Sequence, residues 1–114
     1  MRILVVDDDP LSGEMIAAIL EDSGHACLQV ENGVEALEKL AQAPDIELVI
    51  SDLNMPLLSG LDLFHELHDQ GLATPFILLT GNDATPLMNQ PGLAGCLMKD
   101  ASLEETLPAL VSQL

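Results

Sequence analysis

Aromatic and basic side chains are nearly missing from this sequence. Phe64 and Phe76 are its only aromatics, with no Trp or Tyr, so any packed interior must be built from aliphatic residues. The only bases are Arg2, Lys39 and Lys99, set against nineteen acids for a net charge of −16. A polyanion of this strength lacks the cationic surface that nucleic acids and acidic membranes require, which excludes both as partners; a basic protein surface suits it better. Two cysteines, Cys27 and Cys96, stand far apart in strand-like surroundings and read as buried thiols rather than a disulfide or a clustered metal site. No apolar run approaches the roughly 20 residues of a membrane span, and the N-terminus lacks the pattern of a signal peptide. These absences point to a reduced, cytoplasmic protein with no membrane association.

A chain of 114 residues with 48% hydrophobic content has material for one domain, residues 1–114, around one core. Strand-like segments fall at 2–6, 26–30, 47–51, 75–79 and 95–98, separated by helix-like ones. The first helix starts at Asp9 as cap with Pro10 behind it, turns Met15, Ile16, Ile19 and Leu20 inward, and closes at Gly24. The second follows Asn32, with Val34, Leu37, Leu40 and Ala41 on one face; the third opens near Ser59 and points Leu61, Phe64 and Leu67 inward. Between Thr80 and Lys99, the residues Gly81, Pro86, Pro91, Gly92 and Gly95 leave room only for a shortened fourth helix. Ser102 and Glu105 read as a capping box for the fifth, which Pro108 should kink or shorten. Five alternating βα units predict a doubly wound α/β sandwich: a five-stranded parallel sheet of flavodoxin-like order 2-1-3-4-5 with helices on both faces.

That order makes strands one and three neighbours. It therefore brings Asp7 and Asp8, which follow Ile3-Leu4-Val5-Val6, beside Asp52, which follows Leu48-Val49-Ile50-Ser51. Anions gathered at the carboxyl ends of strands repel one another unless a cation joins them, and hard oxygen donors suit Mg²⁺. Thr80 and Lys99 stand at two further strand ends. Together these residues suit phosphoryl transfer: Asp8 and one oxygen of Asp52 bind the metal, with Asp7 assisting through water. The other oxygen of Asp52 attacks phosphorus, Lys99 neutralises phosphoryl oxygens, and Thr80 donates a hydroxyl hydrogen bond.

The stretch from Ile3 to Pro10, then Asp52-Leu53-Asn54-Met55-Pro56 with Ser59-Gly60, Leu79-Thr80-Gly81, and Met98-Lys99 resemble in order and spacing the receiver domains of two-component response regulators. The resemblance covers the whole chain. It implies that Asp52 is the phosphoacceptor, that Asp7, Asp8, Asp52 and the Asn54 backbone carbonyl hold Mg²⁺, that Thr80 is the switch hydroxyl, and that Lys99 is the phosphate-binding lysine. It also implies a phosphorylation-controlled signalling switch rather than an enzyme, one that catalyses its own phosphorylation and dephosphorylation. Its partner would be a histidine kinase or a histidine phosphotransfer protein, in a bacterial phosphorelay; the downstream partner is not implied.

Two positions depart from the family pattern: Asp100 replaces the proline that usually follows the lysine, and Cys96 replaces a usual Tyr or Phe. These departures support an alternative, a degenerate receiver used as a phosphorylation-independent binding module, which leaves the retained Asp8, Asp52 and Lys99 unexplained. A phosphatase with an aspartyl nucleophile would need a second Asp where Asn54 stands. A flavin carrier would need a phosphate-binding loop where three acids follow strand one. Beginning almost on strand one and ending in a helix, the chain fits either a stand-alone receiver or the front of a longer regulator.

Overall fold

The structure, a computed structural model, describes residues 1–81 and 92–114. Within them five strands form one parallel sheet: β1 (Arg2–Val6), β2 (Ala26–Val30), β3 (Leu48–Asp52), β4 (Phe76–Thr80) and β5 (Gly95–Met98), in the order β2-β1-β3-β4-β5. The described helices are α1 (Pro10–Asp22), α2 (Gly33–Gln42), α3 (Gly60–Asp69) and α4 (Leu103–Val111). The element α4 is the helix the sequence places fifth; the expected short fourth helix lies largely in residues 82–91, outside the described residues.

Why the sheet is doubly covered follows from strand periodicity. Alternate residues of a strand face opposite sides, and in β1 both sets are aliphatic. Leu4 and Val6 join Val49, Leu78, Phe64 and Phe76 against α2 and α3. Ile3 and Val5 join Ile50, Ile77, Leu20 and Leu107 against α1 and α4. Two largely aliphatic layers thus sandwich a sheet whose central strands are buried except at Arg2 and Asp52, as parallel sheets require.

Several helix faces differ from those expected. Met15 in α1 and Val34 in α2 are exposed, and Ala41 is exposed too, while Gly13, Ala17, Gly33 and Ala36 take the inward positions. Close packing selects small residues there: a Cβ on Gly33 would stand 2.6 Å from a methyl of Leu58, in the loop after β3. The expected capping box is not formed. Ser102 caps α4 without a side-chain bond, because its hydroxyl and its N–H both donate to Asp100 Oδ1, at 2.5 and 2.9 Å. Pro108, expected to kink or shorten this helix, lies inside α4, which continues to Val111. Asp9, Asn32 and Ser59 cap their helices as expected, accepting from Leu11, Glu35 and Asp62 N–H respectively.

Candidate functional site

The carboxyl edge of the sheet is where the chain stops being aliphatic. The strand β1 ends in four fully buried residues, and the next, Asp7, remains buried with its N–H donating to Val30 O at 3.1 Å. Asp9 and Pro10 then start α1 and turn the chain away, leaving Asp8 exposed at the bend. The Asp7 carboxylate, 1% exposed, is satisfied on both oxygens: Oδ1 accepts from Asp9 N–H at 2.9 Å and Oδ2 from Lys99 Nζ at 2.7 Å. Burying a carboxylate this deeply requires such partners.

Asp52 is the last residue of β3, one position further along than the strand's expected end. The ladder runs past it because Leu53 N–H donates to Leu79 O at 2.8 Å. Beyond it the chain loops back so tightly that a Cβ on Gly60 would fall 2.3 Å from Asp52 O. Glycine at the first position of α3 is therefore what lets this helix seat against the strand end and fix Asp52. In the same loop Leu57 adopts φ 70° and is 88% exposed, a left-handed backbone that a leucine tolerates poorly.

Burial raises the Asp52 pKa above its ordinary 3.8, and the Asp7 charge acts in the same direction; Lys99 and a hydrogen bond from Asn54 N–H pull it the other way. Lys99 Nζ lies 3.4 Å from Asp52 Oδ2. Lys99 itself follows β5, its N–H donating to Thr80 O at 2.8 Å. Thr80 closes β4 and is buried, again one residue beyond the expected strand end.

Oxygens of Asp7, Asp8 and Asp52 all lie within 4.8 Å of one another. One ammonium cannot neutralise three carboxylates, and hard oxygen donors of this kind fit a divalent cation such as Mg²⁺. The sequence-predicted Asp7, Asp8, Asp52 and Lys99 are thus brought together, with Thr80 and Asn54 on the adjoining strand end and loop. Asp100 remains exposed beside them, its carboxylate held below the usual range by the hydrogen bonds from Ser102. One residue escaped the sequence reading. Ser12, in the first turn of α1, has its hydroxyl 3.1 Å from Lys99 Nζ. Its only sequence signal is that Asp9 and Pro10 start a helix immediately after Asp7.

Residues 3–111 match the family profile of the response regulator receiver domain. The chain belongs to that family. It is accordingly a signalling module of two-component systems. Among curated receiver-containing proteins, it is 35% identical over 107 residues to the sensor histidine kinase RcsC of Escherichia coli K12, covering 91% of this chain and 11% of the kinase. It is 41% identical over 83 residues to the response regulator protein PmrA of Pseudomonas aeruginosa, covering 73% of this chain and 37% of PmrA. The chain therefore spans only a fraction of the length of these relatives. Among solved structures, the receiver resembles response regulator protein TrrA of Thermotoga maritima in complex with Mg²⁺ and BeF. The TM-score is 0.86 at 31% identity, covering 99% of this chain and 98% of that one. Among the described residues, no helix is long and apolar enough to cross a membrane.

Proposed function

We propose that this receiver domain takes a phosphoryl group onto Asp52 and uses it as a switch. The observation that carries the reading is the close set of Asp7, Asp8 and Asp52 oxygens with the Lys99 ammonium 3.4 Å from Asp52. In the transfer, an oxygen of Asp52 forms a bond to phosphorus while the bond from phosphorus to the donor's leaving atom breaks. The leaving group departs with that electron pair, and an acyl phosphate remains on the protein. Lys99 is placed to shift from the carboxylates toward the incoming phosphoryl oxygens, and Thr80 lies at the neighbouring strand end to meet another.

Asp7, Asp8, Asp52 and the Asn54 carbonyl would hold Mg²⁺, which supplies charge neutralisation between the attacking carboxylate and the anionic donor. Hydrolysis by attack of water on the same phosphorus returns Asp52 and free phosphate, so the domain resets itself without acting on any other substrate. The donor on this reading is a phosphohistidine of a histidine kinase or phosphotransfer protein, met in the cytoplasm. The family membership and the resemblance to a regulator holding Mg²⁺ and BeF support it.

Intact mass spectrometry tests the reading. Incubation with acetyl phosphate and Mg²⁺ should add one phosphoryl group to the native protein and none to Asp52→Asn or to the metal-free sample. Failure to form either this adduct or a beryllofluoride complex would leave the phosphorylation-independent binding module as the better reading.

A further inference from the structure

The Lys99 ammonium has three N–H bonds to direct. Asp7 Oδ2 accepts one at 2.7 Å and Ser12 Oγ another at 3.1 Å, while Asp52 Oδ2 stands at 3.4 Å. The two acidic contacts compete for one flexible side chain whose charged head rotates freely about its last carbon–nitrogen bond. Asp7 is both the nearer and the more buried of the two. An ammonium held by Asp7 alone can turn about that one short bond, and only the longer 3.4 Å contact then orients a proton toward Asp52.

Ser12 supplies a neutral anchor whose position is rigid. Asp9 and Pro10 fix the start of α1, and the turn carrying Ser12 packs against the strand ends, where a Cβ on the next residue, Gly13, would stand 3.3 Å from Gln29 Oε1 of β2 and 3.6 Å from Asp7 Cβ. We propose that Ser12 is a positioning residue: by accepting one Lys99 N–H, its hydroxyl oxygen sets the rotation of the ammonium so that the remaining proton faces Asp52. The catalytic consequence rests on the phosphoacceptor reading above; the hold on Lys99 does not.

The test compares Ser12→Ala with Ser12→Thr, which keeps the hydroxyl. With acetyl phosphate and Mg²⁺, Ser12→Ala should be phosphorylated about tenfold more slowly, equivalent to about 1.4 kcal/mol in the barrier, and Ser12→Thr should recover most of the rate. Because the anchor acts only through the lysine, Ser12→Ala should add nothing further to Lys99→Ala. The ¹⁵Nζ resonance of Lys99, one of only two lysines, reports the anchor without any phosphodonor. It should shift or broaden in Ser12→Ala and persist in Ser12→Thr, with Lys39 unchanged. An unaltered Lys99 resonance overturns the proposal, as does a rate loss that multiplies with that of Lys99→Ala. If the native protein accepts no phosphoryl group while the Lys99 resonance still responds, the phosphoacceptor reading fails and the anchoring by Ser12 stands.

Discussion

Asp52→Asn removes one negative charge from the acidic cluster, and the sign of its effect on stability follows from the geometry. At an effective dielectric of about 20, Lys99 at 3.4 Å attracts the Asp52 charge by about 5 kcal/mol, and Asp7 within 4.8 Å repels it by at least about 3.5 kcal/mol. These nearly cancel. The outcome is then decided by burial, the largest cause of the raised Asp52 pKa; Asp8 lies within the same 4.8 Å but is exposed, so solvent screens its repulsion to a small addition of the same sign. Asparagine keeps an oxygen for the N–H of Asn54 and carries no charge to desolvate. In EDTA at neutral pH, the variant should therefore be more stable by about 1 kcal/mol, raising its thermal midpoint by about 3–5 °C. A carboxyl whose folded pKa is raised loses stability as it ionises. The advantage of asparagine is thus absent below the unfolded value of 3.8, opens as pH rises beyond it, and is complete above the raised folded pKa. Circular dichroism is the suitable probe, since the chain has no Trp or Tyr to report by fluorescence. Adding Mg²⁺ should narrow or reverse the order, because a ligand stabilises most the protein that binds it best. If Asp52→Asn melts below the native protein in EDTA at neutral pH, the pairing with Lys99 outweighs repulsion and burial, and the electrostatic reading of the site is wrong.

Gly60→Ala would set a Cβ 2.3 Å from Asp52 O and 2.7 Å from a Leu78 methyl; urea denaturation should show a loss of about 2–3 kcal/mol, and no loss would mean that α3 is not seated as described. Leu57→Gly relieves a positive φ at a side chain that is 88% exposed, and should stabilise by about 0.5–1 kcal/mol in the same assay. Burial, followed by the Glu21 charge, pushes the Cys27 thiol up to about 11 from 9.0. Alkylation of Cys27 at pH 8 should therefore run about a hundredfold slower in the folded protein than in urea, where equal rates would contradict the burial.

Much of this was legible because the sheet announces itself. Continuous aliphatic runs such as Ile3–Val6 have one reading in an alternating pattern, and β1, β2 and β5 begin and end where expected. The strands β3 and β4 reach one residue further, taking in Asp52 and Thr80, because each pairs with a neighbouring strand up to that residue; a polar residue that follows an aliphatic run carries no hydrophobic sign of such pairing. Helix faces were harder. Large side chains were expected inward at Met15 and Val34, whereas close packing reserves the inward positions for Gly13, Ala17, Gly33 and Ala36. At Ser102, a local competitor decided the matter, since Asp100 two residues away takes the hydroxyl meant for the helix cap. Ser12 was invisible for a different reason. Its partner Lys99 lies 87 residues away, and a contact of that range comes only from the assembled edge of the sheet.

Borohydride trapping after brief exposure to acetyl phosphate and Mg²⁺ bears most directly on the central claim, because it converts an aspartyl phosphate to homoserine at the residue that carried it. Peptide sequencing by mass spectrometry should place the homoserine at position 52, and only in samples containing the metal. Homoserine at position 7 or 8, or at none of the three while the phosphorylated mass is present, would contradict Asp52 as the phosphoacceptor.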